Sequence, residues 1–117
     1  MNVKEIYKIA IEISVKVAVF NQKGIIEKMQ QFVPRLKFLN EYIFENNYYN
    51  LEKNDWCKLQ KLYLDIIKDI LNGLKNRDVI LLMDTLENGL IPFLEIFLED
   101  TEIRKIKEES RIELQNL

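Results

Sequence analysis

Histidine does not occur in this chain of 117 residues. Its absence removes the usual general base, every imidazole-based triad, and the Glu-x-x-His motif by which helical bundles hold paired iron. Cysteine occurs once, at Cys57. That excludes an internal disulfide and a paired-thiolate metal site, and a reducing, cytoplasmic setting is the plain expectation. The three glycines, at positions 24, 73 and 89, stand singly and form no phosphate-cradling loop. With only two prolines besides, turn residues are too scarce for a many-stranded fold, so few and long elements are expected. Long apolar runs are missing too. Asp84, Glu87 and Glu95 interrupt the longest one before the roughly 18 residues of a membrane helix accumulate. Glu5, Lys8, Glu12 and Lys16 break the apolar N-terminal segment, which is not the pattern of a signal peptide.

What is present is helix-forming and apolar. Hydrophobic residues make up 48% of the chain and charged ones 31%, enough to bury roughly two-thirds of the unfolded surface of a single domain of this size. The net charge of −2 argues against a general nucleic-acid binder, which needs a dense cationic face. Residues 1–58 carry nine basic and seven acidic side chains, whereas residues 59–117 carry eight and twelve.

The first segment, Asn2 to Lys23, reads two ways. Ile9, Ile11, Ile13, Val15, Val17 and Val19 alternate as in a strand. Ile6, Ile9, Ala10, Ile13, Val17 and Phe20 also share one helical face, opposite Glu5, Lys8, Glu12 and Lys16. The helical pattern accounts for more residues, and Asn2 with Glu5 resembles a capping box. Lys23-Gly24 offers a stop; one helix continuous through Gly24 is the alternative. Ile25, Met29, Phe32, Leu36, Leu39 and Ile43 then form a heptad seam that passes Pro34, which predicts a second helix kinked at that proline.

Four asparagines in Glu45–Asn54 predict a loop. Around it stand Tyr42, Phe44, Tyr48, Tyr49 and Trp56, a recognition patch on one reading and a cap on the open end of the core on the plainer one. A third helix, starting between Leu51 and Asp55 and ending at Lys75, is expected from the spacing of Leu59, Tyr63, Ile66 and Ile70, with Leu62, Ile67 and Leu74 widening the stripe and Lys58, Lys61, Asp65, Lys68 and Asp69 on the solvated side. Asn76-Arg77 is the turn, and Asp78 the cap of a fourth, antiparallel helix. That helix has two apolar stripes: Val79, Met83, Leu86, Leu90, Phe93 and Phe97, and beside them Ile80, Ile91, Leu94 and Leu98. Pro92 removes a backbone bond toward Asn88, a cost on the order of 3 kcal/mol if unrelieved. Beyond Asp100 the chain turns polar: on one reading Ile103 and Ile106 extend helix 4 by a turn or two and Ile112, Leu114 and Leu117 dock, and on the plainer one the last ten residues are a frayed, partly disordered tail.

Chemistry is sparse. Carboxylates at i, i+4 spacing (Glu41/Glu45, Asp65/Asp69, Glu95/Glu99) could face a hard cation, but such pairs are common on solvated helices and no other ligand type supports them. Cys57 beside Lys58 has no imidazole partner and reads as a small packed or half-exposed residue. The fourth helix holds acids without neighbouring bases. Either a kinked helix simply wraps the core, or the kink opens a groove framed by acids that select a basic partner helix.

Asp78, Leu82, Asp84, Leu86, Glu87, Leu90, Ile91 and Pro92 together resemble a pattern in a family of small helical proteins of Gram-positive bacteria. The resemblance implies a helical fold and carries no functional residue. In size and plan the chain is also similar to flagellar export chaperones, small acidic bundles that bind a partner's helical end, although Tyr7 alone does not make their N-terminal tyrosine motif.

These readings predict an all-α, four-helix antiparallel (up-down-up-down) bundle over residues 1–117, with proline-kinked helices 2 and 4. The expected function is a non-enzymatic protein-protein interaction module, an adaptor or export-type chaperone. It would bind a partner helix through Ile80, Glu87, Ile91, Leu94, Glu95 and Leu98. The alternative is a structural homodimer that pairs through extra stripes of helix 4 and helix 1 (Ile11, Val15 and Ala18). No catalytic residue, cofactor, metal, nucleic acid or membrane is expected.

Overall fold

The computed structural model describes residues 2–20 and 24–115, and the side chains of residues 2–16 and 24–113. Among the described residues every regular element is helical, and five helical rods follow one another. They are α1 (Val3–Phe20), α2 (Gly24–Leu39, prolonged by a π-helical turn, Asn40–Glu45), α3 (Lys53–Lys75), α4 (Val79–Thr85, a π-helical turn Leu86–Leu90 and a last turn Ile91–Glu95), and α5 (Asp100–Gln115). The expectations for the side chains of Val17, Ala18, Val19 and Phe20, for the end of helix 1 at Lys23, and for Leu114 and Leu117 lie outside the described residues.

The helical period prevails in α1. Val3, Ile6, Tyr7, Ala10 and Ile13 are buried, and the Glu5 amide donates to Asn2 Oδ1 at 3.0 Å, satisfying one orphan donor of the first turn. In α2 the seam Ile25, Met29, Phe32, Leu36, Leu39 and Ile43 is buried as its spacing requires. Pro34 does not interrupt the α-helix. Both Pro34 and Gln30, whose carbonyl loses its partner, are exposed, so water can satisfy the freed group.

The irregularity in α4 is a register change. The Ile91 amide donates to the Leu86 carbonyl, five residues back, and Pro92 follows at once in the next turn. An inserted residue of this kind re-routes the hydrogen-bond ladder just where proline cannot donate. Of the two helices expected to kink at proline, one continues as α-helix past Pro34, and the other has a π turn beside Pro92.

Helices α3 and α4 form an antiparallel hairpin, as the close approaches Gly73–Leu82 and Ile66–Gly89 and the ring contact Tyr63–Phe93 show. Asp78 Oδ1 accepts from the Leu81 amide at 3.0 Å, and Arg77 takes the turn at φ 52°. Helix α2 meets the N-terminal half of α3. There the Tyr63 hydroxyl donates to the Leu36 carbonyl at 2.6 Å and the Trp56 indole donates to the Phe44 carbonyl at 3.0 Å. The aromatic residues around the Asn46–Glu52 loop stack on one another and on Phe93 and Phe97, with ring centroids 4.3 to 5.8 Å apart. Tyr48, 62% exposed, stands furthest out.

The count of helices also differs from expectation: five, not four. Helix α4 ends in a run of i→i−3 turns at Ile96, Phe97 and Leu98. The chain then turns back. Glu102 Oε1 accepts from the Glu99 amide at 3.3 Å, half of a capping box built with glutamate in place of serine. Helix α5 docks on α1 through buried Ile106 and Ser110, with Lys4 3.7 Å from Glu102. The segment expected to fray is therefore helical through Gln115, because Ile103 and Ile106 have an apolar face of α1 to cover.

Candidate functional site

The second apolar stripe of α4 is largely inside the molecule. Leu94 is fully buried, Ile91 is buried and Leu98 is half-buried, whereas Ile80 is 82% exposed and isolated at the other end of the helix. The six residues expected to form one surface strip are thus divided. What covers Ile91 and Leu94 is the chain itself: α1 runs antiparallel to α4, and α5 folds back beside both.

Glu95, expected to face a partner, joins three helices instead. The buried Tyr7 hydroxyl of α1 donates to Glu95 Oε2 at 2.7 Å, and Lys107 Nζ of α5 lies 3.2 Å from the same oxygen. Burial of the phenol, its hydrogen bond to Glu95 and the carboxylate's charge all push the Tyr7 hydroxyl above its ordinary range, so it stays a donor at any physiological pH. Other acids of α4 are also engaged internally. Glu87 Oε1 accepts from Ser14 Oγ at 3.3 Å, and Asp84 accepts from Asn88 Nδ2 at 2.8 Å.

Beside the Tyr7–Glu95–Lys107 junction, α1, α4 and α5 do not close completely. They leave an open cleft of about 620 Å³. Ile11 and Val15 of α1 and Ile91 of α4 supply its apolar lining. Arg104, Lys107 and Arg111 of α5 line one side, with Glu87, Glu108 and Ser14 as the other polar members. The three cations recur at i, i+3 and i+7, so one face of α5 carries them all. Two stripes that looked separate in the sequence, Ile11/Val15 and Ile91, meet here. The basic wall was not singled out because α5 itself was not expected; the signal was available as Glu99-Asp-Thr-Glu102, a helix start followed by cations at helical spacing.

A smaller hollow of about 200 Å³ between α1 and α2 is lined mainly by charged and polar ends, among them Glu12, Lys16, Lys28 and Arg35. Among the described residues no three potential metal-ligating side chains converge, and no helix is long and apolar enough to cross a membrane. Cys57 is exposed.

No protein-family model, curated protein or solved structure matches this chain.

Proposed function

We propose that this protein is a non-enzymatic protein-binding module, of the adaptor or export-chaperone kind, whose α1–α4–α5 cleft receives an amphipathic helix of a partner. One observation carries the reading: an aliphatic lining from two helices lies beside a row of three cations from a third. Grooves between helices take up the apolar face of an incoming helix through anchors at i, i+3 or i+4. Charged walls set its orientation and its rate of encounter.

The sign of the wall favours acidic flanks on the partner. Lys107 is already paired with Glu95; Arg104 and Arg111 remain to meet acidic flanks, beside Glu87 and Glu108, and Glu87 already accepts from Ser14. A basic ligand was expected from α4 alone, but Glu95 is committed to Tyr7 and Lys107.

Titration of ¹⁵N-labelled protein with a synthetic helix bearing Leu at i, i+4 and i+7 and Glu on both flanks tests this reading. Amide shifts are expected around Ile11, Val15 and Ile91. The double variant Arg104→Glu/Arg111→Glu should weaken binding at least about tenfold, equivalent to 1.4 kcal/mol. Equal affinity for both proteins, or shifts confined to other surfaces, would refute the assignment. The homodimer alternative draws on the same Ile11, Val15 and Ile91, so light scattering separates the two. A monomer at micromolar concentration supports the binding module, and a dimer dissociated by Val15→Lys supports self-pairing.

A further inference from the structure

Helix α3 carries two heptad seams, and the fold buries one of them and only the edge of the other. The inner seam, with Tyr63, Ile66, Ile70 and Gly73, is buried against α2 and α4. The outer seam is Cys57, Gln60, Leu64, Ile67, Leu71 and Leu74, spaced 3, 4, 3, 4 and 3. Leu64 is 54% exposed and Leu71 50%, while Ile67 and Leu74 are half-buried at the edge of the core. Helix α2 crosses the N-terminal half of α3, at Leu36–Tyr63 and Phe44–Trp56, and α4 lies against the face that holds Gly73 and Ile66. Leu64 and Leu71 therefore face solvent in the middle of a 23-residue helix.

The charges beside this seam identify its occupant. Lys61, Lys68 and Lys75, all exposed, recur every seven residues, each directly after a seam residue. That is the e position of a coiled-coil helix, where opposite charge on the partner sets pairing and direction. The g positions hold Tyr63 and Ile70, which are buried in this chain's own core. A second copy in antiparallel pairing would set its lysine row against this one, and a parallel copy would offer the lysines no acid at g.

We infer that the outer face of α3 is a second docking surface, for a partner helix of about three heptads with aliphatic a and d residues and acidic flanks. The seam from Cys57 to Lys75 is about 27 Å long at 1.5 Å per residue, which sets that length. This inference is independent of the α1–α4–α5 cleft. With both surfaces occupied the protein would bridge two helices.

The test uses a three-heptad peptide with Leu and Ile at a and d and Glu at e and g, followed by fluorescence anisotropy. The host protein carries Arg104→Glu/Arg111→Glu, so that the α5 cleft does not contribute. Binding is expected, with loss of at least about tenfold in affinity when Lys61→Glu/Lys68→Glu/Lys75→Glu is added. That variant should instead bind the same peptide with Lys at e and g. Leu64→Asn/Leu71→Asn, which alters exposed positions, should abolish binding with the circular dichroism spectrum unchanged. Failure of the Glu-flanked peptide to bind the folded host, or affinity unchanged by these substitutions, overturns the inference. So does a dimer in sedimentation equilibrium that Leu64→Asn/Leu71→Asn dissociates, because the occupant would then be a second copy.

Discussion

At the scale of single residues, Glu95 shows how a side chain that reads as surface chemistry becomes part of the interior. Its Oε2 lies within 2.7 Å of the Tyr7 hydroxyl and 3.2 Å of Lys107 Nζ, so one carboxylate oxygen ties α1, α4 and α5. The phenol is the buried partner, and a buried donor left without an acceptor costs about 1–3 kcal/mol. Glu95→Ala is expected to lower stability by about 2 kcal/mol in urea denaturation, and Tyr7→Phe by about 1 kcal/mol. The double variant should lose less than the sum, because removing both partners leaves no orphaned hydroxyl. Additive losses would show that the two groups do not share one interaction. Leu94, fully buried, now reads as core: replacing it with lysine would disrupt folding rather than probe a surface.

At the scale of elements, the α3–α4 hairpin depends on two glycines in different ways. A Cβ built on Gly73 would lie 2.7 Å from Leu82 Cδ2 and 2.8 Å from its Cγ, and Leu82 is fully buried with no room to retreat. The helix-propensity gain of about 1 kcal/mol is outweighed by overpacking of about 1–3 kcal/mol, so Gly73→Ala should destabilise. A Cβ on Gly89 would meet Ile66 Cγ1 at 3.5 Å and Thr85 Cγ2 at 3.7 Å, ordinary contact distances. Gly89→Ala should therefore be neutral or stabilising by up to about 1 kcal/mol. Thermal melts of the two variants would distinguish them, and a common sign would contradict the close-approach argument. Both positions were visible in the sequence as single glycines within helices, yet nothing local told them apart. The distinction arises from how closely α4 lies on α3.

At the scale of the whole molecule, the buried tyrosines predict alkaline instability. Burial pushes the Tyr63 hydroxyl up to about 12, and Tyr7, Tyr42 and Tyr49 are also raised, in each case chiefly by burial. A tyrosine in the unfolded chain titrates near 10. The folded state thus holds its phenolic protons more tightly than the unfolded state. The stabilisation is full below about pH 10 and is lost as pH rises through the folded values. Urea midpoints should be flat from pH 8 to about 9.5 and fall steeply above it. Tyr63→Phe should flatten part of that fall while costing about 1 kcal/mol near neutrality. A midpoint independent of pH up to 12 would contradict the burial of these rings.

The sequence by itself determined that the described chain is helical, where α2 buries its seam and α3 buries Tyr63, Ile66 and Ile70, and that Asp78 opens a hairpin. These follow from hydrophobic period and local capping, which depend on neighbours within a turn or two. It also pointed to the apolar residues Ile11, Val15 and Ile91. Only the tertiary structure decided what those residues do. A period cannot say which of two stripes meets another helix, and the polar run after Asp100 hid a fifth helix whose few apolar residues suffice once α1 is beside them. The packing of α1 on α4 accompanies the burial of Leu94, and the folding back of α5 drew Glu95 into a three-helix junction and set a basic wall against an aliphatic lining. The sign of the cleft comes from long-range assembly, because its cations lie on α5 while its apolar lining lies on α1 and α4.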